Sequence, residues 1–216
     1  MSHTVKVDIW SDIACPWCFV GKRRFEAAAA SFEAAGGEVE VEFHSFELAP
    51  DTPVDFDGSE VDFLVKHKGM QAAQVEQMLG QMTELAAAEG LAYDFESLQH
   101  TNTVKAHALL HYTKTQGRQL DMSERLFSAY FEQGRHIGRI DDLADLASEI
   151  GLDRDSVVEA LTHDVHLPDV QADKQQGAAY GISGVPFFVI DKKFGVSGAQ
   201  DPATLLDVLQ KAAAES

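Results

Sequence analysis

Apolar and polar positions change rhythm along this chain, and each change marks an element. Val5-Lys6-Val7-Asp8-Ile9-Trp10 alternates at period two and is rich in β-branched and aromatic residues, which predicts a strand. Phe19, Val20, Phe25, Ala28 and Ala29 then fall at helical spacing, with Lys22, Arg23, Arg24 and Glu26 between them. Gly36-Gly37 closes that helix. Glu38 to Phe46 alternates strictly and predicts a second strand with one polar edge. Strand, helix and strand in so short a stretch form a βαβ unit with parallel strands.

A Pro-rich break, Leu48-Ala49-Pro50-Asp51-Thr52-Pro53, ends that pattern. From Ser59 to Gly181 the periodicity is helical throughout. Stripes run through Val61–Val65, Val75–Leu85, Asn102–Thr113, Ser123–Phe131, Asp141–Ile150, Asp153–Leu161 and Asp169–Ala178. Strand character returns at Val185–Ile190. Asp191-Lys192-Lys193 makes a turn and Phe194–Gly198 pairs back as a hairpin. A final helix starts at Asp201-Pro202, an N-cap followed by Pro at the first position, with Leu205, Leu206 and Leu209 inward. The expected fold class is α/β, in the order β-α-β, a large all-helical insertion, then α-β-β-α. Residues 1–51 and 167–216 would form one domain and 52–166 the insertion.

Composition narrows the partners. The 216 residues are 45% hydrophobic and carry 17 Lys plus Arg against 35 Asp plus Glu, a net charge of −18. Nucleic acid and anionic membranes both require positive surface, so neither is expected as a partner. No apolar run approaches the ~20 residues that cross a bilayer. Met1 to Lys6 runs straight into the first strand with no basic, apolar and cleavable leader pattern. The expected location is cytoplasmic.

Only two cysteines occur, in Ala14-Cys15-Pro16-Trp17-Cys18-Phe19-Val20-Gly21, where the first strand gives way to the first helix. Unpaired N–H groups and the positive end of the helix dipole favour a thiolate there. Cys18 lies three positions on, on the same helical face, and can close a disulfide with Cys15. The expected chemistry is thiol–disulfide exchange, with Cys15 reacting first and Cys18 resolving. In a reducing compartment such a pair is catalytic rather than a staple. Zinc usually takes four ligands and there is no second pair, so no metal is expected. His107 and His111, four apart on one helix, lack a third ligand and read as structural.

Taken together, Ser11 to Gly21, Ala106-His107, Gly184-Val185-Pro186 and Ser197-Gly198-Ala199-Gln200 resemble the DsbA family, and within it the FrnE-like subfamily. The resemblance spans the chain and implies a thioredoxin-like fold interrupted by helices. It implies that Pro186 is cis and faces Cys15, and that the Val185 backbone pairs with an extended substrate. Pro16 and Trp17 would add substrate contacts. Such proteins often hold a buried carboxylate beneath the cysteines. Asp8 matches it if one residue is inserted before Cys15, and Asp12 is the alternative, nearer and more exposed.

The resemblance makes a thiol–disulfide oxidoreductase the leading function, acting on protein or small-molecule thiols and disulfides. No cofactor beyond the redox-active Cys15–Cys18 pair is implied, with glutathione as a reductant or co-substrate. An alternative is a glutathione-dependent isomerase or transferase similar to the kappa class or to 2-hydroxychromene-2-carboxylate isomerase. There Gln200 and Asp201 would grip the γ-glutamyl end. A third reading is a chaperone-like binding module. Oligomeric state is left open.

Overall fold

Strand β1 (Thr4–Ser11) opens the computed structural model, which describes residues 4–215. The expected start at Met1 to His3 lies outside the described residues, as does Ser216. Helix α1 (Pro16–Ala34) and strand β2 (Glu38–Ser45) follow, then seven helices: α2 (Glu60–Lys68), α3 (Ala72–Ala88), α4 (Val104–Thr115), α5 (Gln119–Glu132), α6 (Ile140–Glu149), α7 (Arg154–Thr162) and α8 (Leu167–Ala179). Strands β3 (Phe187–Ile190) and β4 (Phe194–Ser197) and helix α9 (Pro202–Ala214) complete the chain. The architecture is mixed α/β, as the hydropathy pattern predicts.

The four strands form one sheet in the order β2-β1-β3-β4. β1 and β2 are parallel, with Asp8 opposite Glu42 and Trp10 opposite His44. β3 runs antiparallel to β1, placing Ile190 opposite Val7 and Phe188 opposite Ile9, and β4 pairs antiparallel with β3. Alternation along β1 separates two faces. Val5, Val7 and Ile9 join Phe25, Phe32, Phe188, Leu205 and Leu209 in a core that α1 and α9 cover. Each such buried side chain contributes about 1.5–3 kcal/mol of burial free energy. On the other face Trp10 packs with Ile182 and Val189, and its indole N–H donates to the Asp173 carbonyl at 3.0 Å. Gly177 of α8 is required there, since a Cβ would stand 2.9 Å from the indole nitrogen.

The chain divides into two compact units: residues up to Leu48 with those from Val170 onward, and Ala49–Asp169. The second is helical, its centre built from Leu109, Met122, Leu126, Phe127, Tyr130, Phe131, Ile137 and Leu143, all fully buried. Two of its helices start where side chains meet backbone donors. Ser59 and Asp62 form a reciprocal capping box on α2, and Asp153 accepts from Ser156 N at 2.8 Å to cap α7. Helices α5 and α8 are among those that begin earlier than the hydropathy stripes suggest. The first turn of α5, Gln119-Leu120-Asp121, has too little apolar rhythm to register. α8 starts at Leu167 because Pro168 is tolerated in a first turn. His107 and His111 are buried within α4. Among the described residues no helix is long and apolar enough to cross a membrane.

Candidate active site

β1 ends at Ser11, and the chain turns through Asp12-Ile13-Ala14, with Cys15 N–H donating to the Asp12 carbonyl at 3.1 Å. Cys15 sits at the N-cap of α1 in extended conformation, Pro16 occupies the first turn, and Cys18 N–H reaches back to the Cys15 carbonyl at 3.0 Å. The strand–helix junction thereby places both sulfurs at a helix N-terminus.

Both cysteines are free thiols and both are buried. The Cys15 thiol points at the Val185 carbonyl at 3.6 Å. The Val185–Pro186 peptide is cis. Burial pushes the Cys18 thiol well above its ordinary value, and the neighbouring Cys15, by hydrogen bond and by charge, pushes the same way. Ser11 and the Asp12 backbone act in the opposite sense, Ser11 Oγ being buried with no hydrogen-bond partner among the described residues. Burial and the neighbouring Cys15 thus favour the protonated thiol at Cys18. Trp17, between the two, is 44% exposed.

Of the two candidate aspartates, the one expected to be more exposed is the more buried. Asp12 is the buried one, at 1% exposure, because its carboxylate accepts from Leu48 N at 2.7 Å and Ala14 N at 3.4 Å. Asp8, one of the two carboxylates offered from sequence for the place beneath the cysteines, pairs with His44 Nε2 at 3.0 Å on the sheet face opposite α1. His44 also bonds Asp173 through Nδ1 at 2.7 Å. Its burial works to lower its pKa, but the Asp173 and Asp8 hydrogen bonds and the Asp173 and Glu42 charges prevail and raise it to about 9.

Near Pro186, Gln200 and Asp201 are engaged within the chain. The Gln200 amide donates to the Ser197 carbonyl at 2.8 Å, and Asp201 caps α9 by accepting from Thr204 N at 3.0 Å. Gly198 N–H donates to the Pro186 carbonyl at 2.8 Å, and Arg24 holds the Ala199 carbonyl at 2.7 Å, tying this loop to α1.

Sequence reasoning misses two participants. Gly21 lets α1 meet the proline ring: a Cβ there would lie 2.8 Å from Pro186 Cγ. Ser11, buried just after the predicted strand, enters the sequence reading only as the first residue of the Ser11 to Gly21 motif, with no role of its own. Gly21 stood in the motif as a helix-weakening residue, and that oddity was its only signal.

Comparison with known proteins bears on this geometry. The family described as the DSBA-like thioredoxin domain matches residues 6–210. The chain is 33% identical over 189 residues, 87% of each chain, to the uncharacterized protein YwbO of Bacillus subtilis (strain 168). It is 39% identical to a probable DsbA oxidoreductase, SCO1869 from Streptomyces coelicolor, covering 98% of this chain and 91% of that one with a TM-score of 0.90. A 2-hydroxychromene-2-carboxylate isomerase structure shares the fold at 14% identity, with a TM-score of 0.72 over 97% of this chain and 95% of that one. Two sulfurs at the start of α1, a four-stranded sheet behind them and a family match along nearly the whole sequence agree: the chain belongs to the DSBA-like thioredoxin domain family.

Proposed function

We propose that the protein is a cytoplasmic thiol–disulfide oxidoreductase acting on protein or small-molecule thiols and disulfides. Cys15 is the exchanging sulfur and Cys18 the resolving one. The observation that carries this reading is the Cys15 thiol at 3.6 Å from the Val185 carbonyl with the protonated Cys18 thiol against it.

In the reductive direction the Cys15 thiolate attacks one sulfur of a substrate disulfide. The substrate S–S bond breaks, a Cys15–substrate disulfide forms, and the departing sulfur takes up a proton. Cys18 then loses its proton to solvent and attacks Cys15 Sγ. The second substrate thiol leaves, and the Cys15–Cys18 disulfide forms. The substrate gains the two electrons that the dithiol loses, and the reverse sequence oxidises a substrate dithiol. An external thiol such as glutathione resets the pair. Ser11 and the Asp12 backbone lower the cost of the Cys18 anion at the resolving step. The Val185 backbone offers an edge for an extended substrate, and Pro16 and exposed Trp17 flank it.

The glutathione-transferase alternative draws less support. Such an enzyme has no use for a second thiol, and Asp201 and Gln200 already serve α9 and Ser197. A purely holding role rests on Trp17 alone.

Cys18→Ala is the test. It should accumulate stable mixed disulfides with a protein disulfide substrate while Cys15→Ala accumulates none, and both should lose turnover. Full turnover in Cys18→Ala, with nothing trapped, would overturn the two-sulfur reading.

A further inference from the structure

On the sheet face opposite α1, a second cluster of reactive side chains takes no part in the thiol chemistry. Asp8 of β1 and Glu42 of β2 are register partners in a parallel pair, and His44 lies two residues further along β2, on the same face. One ligand atom from each of the three lies within 4.8 Å of the other two.

The imidazole is held in a fixed orientation. Nδ1 meets Asp173 Oδ1 at 2.7 Å, while Asp173 Oδ2 accepts from Ser45 N at 2.7 Å. The ring also stacks on Trp10, centroids 4.4 Å apart and planes 14° apart. With Nδ1 engaged, Nε2 faces the two carboxylates, 3.0 Å from Asp8 Oδ1 and 3.7 Å from Glu42 Oε1. A carboxylate that orients a histidine from behind is the arrangement that supports metal-bound imidazoles.

The spacing suits a metal ion. Two ligands at about 2.1 Å from zinc stand roughly 3.0 Å apart at a right angle and roughly 3.4 Å apart at a tetrahedral angle. His44 Nε2 stands 3.0 Å from Asp8 Oδ1 and 3.7 Å from Glu42 Oε1, close to that range, and the three ligand atoms all lie within 4.8 Å of one another, so an ion would draw the carboxylates in around the imidazole. Charge points the same way. Three carboxylates surround one imidazole, so a protonated His44 leaves two net negative charges. A divalent cation beside the neutral ring leaves one. The side chains are 14–32% exposed, which leaves room for water as a further ligand.

We propose that Asp8, Glu42 and His44 form a site for a divalent transition-metal ion, zinc fitting the one-nitrogen, two-oxygen donor set, oriented from behind by Asp173. Binding exchanges the Nε2 proton for the metal, the proton passes to solvent, and nothing is oxidised or reduced. The ion ties β1 to β2 across the face that Trp10 and α8 share. The site uses neither cysteine and stands apart from the proposed reaction.

The test must exclude the thiols, which also bind zinc. The full chain carrying Cys15→Ser and Cys18→Ser is equilibrated with zinc at micromolar free concentration and its metal content measured, along with its thermal midpoint. One equivalent should be retained and should raise the midpoint. Adding Glu42→Gln, or His44→Gln, should remove that equivalent and the midpoint shift. Glu42 is 32% exposed, so Glu42→Gln carries the test if His44→Gln does not fold. No retained zinc, or one equivalent retained undiminished in the folded Glu42→Gln protein, would overturn the site and leave His44 as a protonated bridge between Asp8 and Asp173.

Discussion

Deep in the helical unit the largest side chains are apolar and interlocked, Leu126, Phe127, Tyr130 and Phe131 among them. Among the polar groups at that depth, His100 closes on Glu60 at 2.7 Å and Thr113 on the Leu110 carbonyl at 3.0 Å. The sheet-bearing unit is built differently where α1 begins. Ser11, Asp12, Cys15, Cys18 and Lys22 are all buried within a dozen residues. Asp12 is satisfied by backbone donors, and Lys22 pairs with Glu26. Cys18 is left as a thiol that burial keeps protonated. Burial in the helical unit serves cohesion. At the start of α1 it also sets protonation states, which is how one fold can combine a stable core with a reactive pair.

The sharpest way to separate the two regions is truncation in the helical core. Phe127→Ala should cost about 3–5 kcal/mol in denaturant unfolding, while the folded fraction keeps the exchange rate of the parent. An equal loss of rate in the folded fraction would mean the regions are not separable.

A smaller effect is expected at Gly21. Gly to Ala inside a helix ordinarily stabilises by about 0.5–1 kcal/mol. Here the added Cβ meets Pro186 Cγ at 2.8 Å, so Gly21→Ala should instead destabilise by about 1–3 kcal/mol and slow exchange. A stabilised variant with normal exchange would remove Gly21 from the site.

The smallest effect is a pH dependence. The folded pKa of Cys18 is raised, so its contribution to stability is complete below the ordinary thiol value of 9.0 and is lost as pH rises beyond it. Above that pH the reduced parent should lose stability more steeply than Cys18→Ala, by at most about 1.4 kcal/mol per pH unit. Parallel curves would mean that Cys18 ionises as freely in the fold as in the unfolded chain.

Much of this fold can be read from local pattern, because period-two and helical stripes are properties of neighbouring residues. The βαβ start, the helical run and the closing hairpin with its Asp201-Pro202 cap are all of that kind. The cysteine pair is equally local: two sulfurs three apart at a strand–helix junction need no partner elsewhere to be noticed. What is hidden depends on distant residues. Asp12 becomes buried because Leu48 N–H reaches its carboxylate from beyond β2. His44 looks like one more polar position in an alternating strand until Asp173, 129 residues away, takes its Nδ1. Gly21 acquires its meaning only from Pro186.

The central claim is that Cys15 and Cys18 act as one redox pair, and oxidation of the parent protein tests it most directly. Reduced protein equilibrated with mixed reduced and oxidised glutathione should lose two hydrogens and yield a peptide in which Cys15 and Cys18 are joined. Glutathione should be found on Cys15 only in passing, and should persist there in Cys18→Ala. Stable glutathione on Cys15 of the parent, with Cys18 still a free thiol, would contradict the account.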